Sequence, residues 1–160
     1  MMKICLPRLS AFDSRLSAIR SAALAPLLVA YALAAQAEVT VKDAWVRGTV
    51  AGQRSSGAFL AMTSTEEAKI VAVSSPVAKV AEIHATKNDR GMMVMEHVPT
   101  LALPAGKTVE FKPGGHHVML MGIEKPLAKG ATVPITFTVE DAKGRRSSVE
   151  VKAAVRPLGQ

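Results

Sequence analysis

The sequence has almost no cysteine. Its 160 residues include only one, Cys5, near the start of the chain. A domain that begins after this N-terminal stretch can form no disulfide, and it lacks the thiolate that a blue-copper electron-transfer site requires. Cys5 also precedes the first apolar run instead of following it, so it is not placed where a lipid-anchored cysteine is expected.

Long apolar runs are scarce as well. The one extended apolar stretch, residues 21–35, is shorter than the about 20 residues that cross a bilayer. It follows a basic segment and ends at Ala35-Gln36-Ala37, a small-x-small cleavage site. Residues 1–37 are therefore predicted to be a secretory signal peptide, and residues 38–160 a single periplasmic domain without stable membrane insertion. The alternative is that the N-terminal stretch is retained as an anchor.

The signatures of several enzyme classes and of nucleic-acid binding are also missing. No glycine-rich phosphate loop occurs, and Ser55-Ser56-Gly57 lacks the context of a serine nucleophile and is interpreted as a turn. The formal net charge is +7, but no dense basic patch with interleaved aromatic residues is found, which excludes a nucleic-acid partner. Glu38 follows the predicted cleavage site, so an N-terminal histidine brace for copper is absent. These absences favour a binding protein over an enzyme.

The chain after residue 37 reads as many short strands separated by turn signals. Aromatic residues make up only 4% of the sequence, so the core is expected to be aliphatic. Regularly spaced short strands predict an all-β sandwich or barrel. Pro134 lies inside one segment, which should be an edge strand or begin there. The predicted strands are Val39–Arg47, Ala58–Ser64, Lys69–Ser74, Lys79–Ala85, Met92–Val98, Thr108–Phe111, His117–Gly122, Thr132–Val139 and Ser148–Val155.

Histidine and methionine concentrate in two stretches, and the first runs from Gly114 to Gly122. Alternate residues of a strand share a face, so His117, Met119 and Met121 point to one side. Thioether sulfur is a poor ligand for hard cations and a good ligand for Cu(I). Each methionine taken alone could equally be an adaptable core residue.

The second stretch changes that balance. His84 lies on the polar face of a predicted strand, and the turn signal Asn88-Asp89-Arg90-Gly91 follows it. A hairpin at this turn brings His84 near Met93 or Met95, depending on a register that the sequence leaves open. Two imidazoles and two thioethers, all neutral, suit a soft monovalent ion.

The spacing of these residues resembles that of the periplasmic copper chaperones of the PCuAC family. Their signature is His-x10-Met-x21-His-x-Met, and His84, Met95, His117 and Met119 match it. One departure is Ala85, where a second methionine often follows the first histidine of the family motif. Further similar segments are Asp89-Arg90-Gly91-Met92-Met93, Pro104-Ala105-Gly106, Gly114-Gly115-His116-His117 and the strand from Thr132 to Val139.

The resemblance implies a fold, a cargo and a set of ligands. The fold would be a cupredoxin-like Greek-key β-sandwich, and His84, Met95, His117 and Met119 would bind Cu(I). The protein would carry copper toward the dinuclear copper site of cytochrome c oxidase. Its acceptor would be the copper subunit of that enzyme or a Sco-type thioredoxin-like protein, and a monomer is expected. The chain has no His/Met-rich C-terminal extension, so no second site for Cu(II) is expected.

Two groups of residues stay open at this point. His97 is either a reserve ligand or a solvated strand-end histidine, and His116 points away from the His117 face. The other methionines are expected to be hydrophobic rim or core: Met62, Met92, Met93 and Met121. The alternative function is a metal-free β-sandwich adaptor or adhesion domain whose methionines all lie in the core.

Overall fold

The structure is a computed structural model, and it describes residues 37–157. The predicted signal peptide lies outside the described residues except for its last position, so the predicted division at residue 37 stays a prediction. None of the described residues forms a helix long and apolar enough to cross a membrane. The strands are β1 Val39–Arg47, β2 Ser55–Ser64, β3 Ala68–Ser74, β4 Val80–Asp89, β5 Met92–His97, β6 Leu101–Leu103, β7 Thr108–Phe111, β8 His116–Met121, β9 Thr132–Asp141 and β10 Arg146–Arg156.

These strands form one continuous sheet in the order β5-β4-β8-β7-β2-β1-β10-β9-β3-β6. The strand β8 also pairs directly with β2, because the short β7 ends before β8 does. The β1–β10 and β7–β8 pairs are parallel, and the other pairs are antiparallel. The sheet curls into an open half-barrel with a cupredoxin-like β fold, which confirms the predicted fold class.

One face of the curled sheet forms the core. In β9, Val133, Ile135, Phe137 and Val139 are buried and alternate with partly exposed residues. Burying apolar area stabilises a fold by about 25 cal/mol per Å², so this alternation fixes which face of each strand turns inward. The other core residues are mostly aliphatic, as the composition predicts: Val46, Ala58, Leu60, Met62, Ile70, Ile83, Leu103, Phe111, Val118, Leu120, Ile123, Leu127, Val151, Ala153 and Val155.

Most predicted strands are confirmed, and the prediction at residues 55–57 is wrong. Ser55-Ser56-Gly57 is not a turn but the start of β2, where it pairs with residues 119–121 of β8. Serine and glycine are typical of turns, but the pairing with β8 extends the strand through them. The sequence also gave no sign of β6, which has only three residues and pairs with β3.

Pro134 lies near the start of its strand, which is one of the two positions predicted for it from the sequence. The strand β9 is not an edge strand, since it lies between β10 and β3. The pairing of β3 with β9 begins at Thr136, two residues after the proline. Ser75 instead donates its hydroxyl to the carbonyl of Pro134 at 2.7 Å. The missing N–H of proline therefore breaks no bond of the ladder.

Candidate metal centre

A two-residue turn fixes how β5 lies against β4. Arg90 and Gly91 both have positive φ, 51° and 87°, and the N–H of Gly91 donates to Asn88 Oδ1 at 2.8 Å. Positive φ at both central residues is typical of the type I′ turns that close tight hairpins. The pair closest to the turn is Asp89 with Met92, and the register follows from it along the whole hairpin.

That register decides the question that the sequence left open. His84 faces His97 across the hairpin, with ring centroids 5.8 Å apart, and Met95 faces Thr86. Directly opposed residues share a face of the sheet, so Met95 lies one diagonal step from His84 on the same face. Met93 faces Asn88, one step further along the strand.

On its other side β4 pairs with β8 and brings in the second histidine–methionine stretch. His84 faces His117, with ring centroids 6.0 Å apart, and Glu82 faces Met119. The four residues of the sequence motif therefore lie on one face of three adjacent strands, on the opposite side of the sheet from the core. His84 and Met95 lie on the neighbouring strands β4 and β5, and His117 and Met119 lie together on β8, the other neighbour of β4.

Three of the four motif residues line one open pocket of about 260 Å³, and His84 lies beside it next to His117. Exposure is graded across the cluster: His117 is 7% exposed, Met119 is half-buried and Met95 is 62% exposed. The group thus has a buried end at β8 and an open end at β5. The lining residues are Arg47, Gln53, Ser55, Ser56, Gly57, Phe59, Thr86, Met95, Pro113, Gly114, His117 and Met119.

Hydrogen bonds hold both histidines. His117 Nδ1 lies 3.2 Å from the carbonyl oxygen of Gly115. His84 Nε2 lies 3.1 Å from a carboxylate oxygen of Glu82. His84 Nδ1 is buried and has no hydrogen-bond partner in the part of the chain that the structure describes. Nearby, a hydrogen bond from Lys87 lowers the pKa of Glu96, so this β5 carboxylate stays ionised.

The ring of Phe59 lies on the β2 side of the pocket. The ring of Phe59 lies 6.4 Å from that of His117 and 4.4 Å from that of Trp45, measured between centroids. A Cβ on Gly57 would lie 3.1 Å from the tip of the Phe59 ring, so glycine gives this ring its room. The guanidinium of Arg47 lies over the Phe59 ring, 5.8 Å from its centroid. The role of Gly57 was not predicted, because Ser-Ser-Gly was interpreted as a turn. Phe59 was placed in a predicted strand but was not predicted to belong to the site.

The remaining histidines and methionines fall into three groups. Met62 is fully buried in the core, as predicted. Met92 and Met93 are exposed on β5, and Met121 is half-buried and lies outside the core cluster. Of the two predicted alternatives, rim or core, these three methionines are therefore rim residues. His97 is exposed and His116 alternates away from the His117 face, both within the sequence alternatives.

Two neutral imidazoles and two thioethers on one face can bind a soft cation. Cu(I) accepts this donor set, whereas Zn(II) is bound by nitrogen, thiolate and carboxylate ligands. Within residues 37–157, no group of three or more His, Cys, Asp or Glu side chains is arranged to hold a metal ion. Met95, at the open end, is the most exposed of the four side chains.

Comparisons with known proteins show the family of the chain. Residues 39–155 match the family described as "Putative lipoprotein LpqE-like". The chain is 30% identical over 115 residues to "Putative lipoprotein Lxx21020" of Leifsonia xyli subsp. xyli (strain CTCB07), a match covering 71% of this chain and 69% of that protein.

Two solved structures extend the comparison to three dimensions. The solution structure of CuI-DR1885 from Deinococcus radiodurans is 30% identical, with a TM-score of 0.54 over 79% of this chain and 84% of that one. The copper-bound PCuAC domain from PmoF2 has a TM-score of 0.59 over 77% of this chain and 99% of that one. Its identity is 19%, so this second likeness concerns the fold alone.

Proposed function

Because the chain belongs to the LpqE-like family and has the fold of the PCuAC domains, we propose that it is a Cu(I)-binding metallochaperone. The observation that carries the proposal is the placement of two imidazoles and two thioethers on one sheet face. Copper is the cargo, and His84, Met95, His117 and Met119 are its proposed ligands. The likeness to the Cu(I)-bound DR1885 structure supports the choice of metal and valence.

The graded exposure of the cluster suits a carrier better than a resident metal site. A carrier must bind its ion firmly and still let the ligands of an acceptor reach it. The buried His117 anchors the ion from below, and the exposed Met95 is the ligand that an acceptor can replace. Exchange would therefore begin at the β5 side of the pocket.

The destination and compartment follow from the same proposal. We propose a periplasmic protein that acts by binding, not by catalysis, and that delivers copper toward the dinuclear site of cytochrome c oxidase. The copper subunit of that oxidase or a Sco-type protein would be the acceptor of a monomeric carrier. The description of the family as lipoproteins supports a place outside the cytoplasm.

The alternative function, a metal-free adaptor or adhesion domain, requires that the methionines lie in the hydrophobic core. Met95 is mostly exposed, Met119 is half-buried, and both lie on the face opposite the core. Exposed thioethers beside two imidazoles give an adaptor domain no packing advantage. The exposure of Met95 and Met119 therefore supports the copper-binding proposal over the metal-free adaptor.

A competition experiment tests the proposal. The protein should bind one Cu(I), or one Ag(I) as its mimic, and prefer both to Zn(II). The variant His117→Ala removes a proposed ligand. Its Cu(I) affinity should therefore fall by more than the about 10–100-fold that is typical when a supporting residue is lost. His116→Ala is the matched control, because His116 is the adjacent histidine on the opposite face. Equal or tighter Zn(II) binding, or equal losses in the two variants, would contradict the proposed site.

A further inference from the structure

The two histidines of the centre are held by different ring nitrogens. His117 is bonded through Nδ1 to the carbonyl of Gly115, and His84 is bonded through Nε2 to the carboxylate of Glu82. Carbonyl and ionised carboxylate oxygens only accept hydrogen bonds, so each bonded nitrogen must carry the proton. The lone pairs therefore lie on opposite nitrogens, on Nε2 of His117 and on Nδ1 of His84.

The surroundings of His84 support this assignment. Its Nδ1 is buried and has no hydrogen-bond partner within residues 37–157. Because Nε2 carries the proton, Nδ1 has the lone pair, and this buried acceptor is available to a metal. Nε2 of His84 is thus engaged in a hydrogen bond, and the lone pair of Nδ1 is available.

Glu82 is placed to keep His84 in this state. It lies two residues before His84 on β4, so both side chains leave the same face of the sheet. It also faces Met119 on β8, which puts its carboxylate at the edge of the proposed ligand set. The Glu82 side chain is 35% exposed and that of His84 is 17% exposed, so the bond between them is partly shielded from water.

The charge of Glu82 matters for the cargo. Two imidazoles and two thioethers are neutral, so they leave the +1 charge of Cu(I) uncompensated. A carboxylate bonded to the far side of a ligating imidazole makes that imidazole a better donor and supplies the opposite charge nearby. No carboxylate bonds to His117 in the same way, since its partner is a backbone carbonyl.

We propose that Glu82 is a positioning residue that holds His84 by Nε2, so that Cu(I) binds Nδ1 of His84 and Nε2 of His117. This inference rests on the proposed function. It adds a residue outside the sequence motif and assigns one ring nitrogen of each histidine to the metal.

Nitrogen-15 NMR of the full protein with Ag(I) as probe tests the assignment directly. On addition of one equivalent, the resonances of His84 Nδ1 and His117 Nε2 should shift strongly, while His84 Nε2 keeps its proton. A shift of His84 Nε2 with loss of its proton would overturn the inference and leave the proposed function intact. Absence of Ag(I) binding would instead refute the proposed function itself.

Variants at Glu82 test its contribution. In Glu82→Ala, Cu(I) affinity measured against a chelator should fall about 10–100-fold, as is typical when such a support is lost. Glu82→Gln keeps an oxygen that can accept the Nε2 proton, so it should recover part of the loss and retain the Nδ1 shift with Ag(I). Recovery in Glu82→Gln distinguishes positioning from a general structural role.

Glu110→Ala is the matched control. Glu110 also bonds a residue two positions further along the chain, Lys112 at 2.8 Å, but that partner is not a proposed ligand. Its loss should leave Cu(I) affinity and the Ag(I)-induced shifts unchanged. If Glu82→Ala binds Cu(I) as tightly as Glu110→Ala does, Glu82 does not position the ligand.

Discussion

At the scale of single residues, Met93 and Met95 offer a matched pair. Both lie on the same face of β5, and they are 64% and 62% exposed. Only Met95 lines the pocket with His117 and Met119. Position along the strand, and not exposure, therefore separates a proposed ligand from a rim residue.

We expect Met95→Ala to weaken Cu(I) binding by about tenfold or more, the effect of losing one interaction of about 1.4 kcal/mol. Met93→Ala should leave the affinity nearly unchanged, because Met93 faces Asn88 one step beyond the cluster. Both variants should keep the stability of the parent within about 0.5 kcal/mol, as is usual for exposed positions. Chelator competition and thermal melts on the two proteins provide the measurement. Equal losses of affinity would mean that the proposed ligand set is drawn wrongly at β5.

At the scale of elements, Asp141 closes the hairpin of β9 and β10. Its carboxylate accepts the backbone N–H groups of Lys143 and Arg145, both at 2.9 Å, and the Arg145 Nε–H at 2.7 Å. These bonds, above all the backbone bond from Arg145, lower the pKa of Asp141. A carboxyl with a lowered pKa stabilises the folded state above the pKa of the unfolded group. That contribution is lost as the pH falls through the lowered folded-state value.

Asp141→Asn should therefore lower the melting temperature by a few degrees at neutral pH. The difference from the parent should shrink in acid, since protonation removes the same charge from the parent protein. Thermal melts from neutral pH to below the ordinary carboxyl range measure this, with Glu150→Gln on the exposed side of β10 as control. A difference that is constant across the range would show that the charge of Asp141 does not stabilise the hairpin.

At the scale of the whole molecule, the two faces of one sheet have separate roles. Both are visible in β8, where Val118 and Leu120 are fully buried in the core and His117 and Met119 face the pocket. Substitutions at neighbouring positions of this strand should therefore affect different properties. Leu120 and Met119 are similar in size and adjacent in sequence, which makes the comparison close.

Leu120→Ala should reduce the free energy of unfolding by about 2–5 kcal/mol, because it leaves a cavity in the core. The folded fraction should still bind one Cu(I), because the outer face is intact. Met119→Ala should show the reverse, a small loss of stability and a loss of Cu(I) affinity of about tenfold or more. Urea unfolding and chelator competition on both variants decide the matter. A large stability loss in Met119→Ala with unchanged affinity would contradict this division between the faces.

Much of this protein could be predicted from local patterns in the sequence. Strand alternation places His117, Met119 and Met121 together, and turn residues mark most strand boundaries. The positive-φ turn at Arg90 and Gly91 has a clear signal in Asn-Asp-Arg-Gly, and its length fixes the register of β5 on β4. Such features depend on residues close in sequence, so the sequence by itself determines them.

Tertiary structure alone decided which strands meet and what surrounds the cluster. His84 and His117 are far apart in sequence, and their pairing depends on the burial of Ile83 and Val118 on the other face. A second pairing of β8, with β2, made the predicted Ser55-to-Gly57 turn part of a strand, because β8 supplied a partner that no local pattern reveals. The hydrogen bond of His84 Nε2 to Glu82 and the burial of its Nδ1 likewise follow from the position of the β4 strand in the folded sheet.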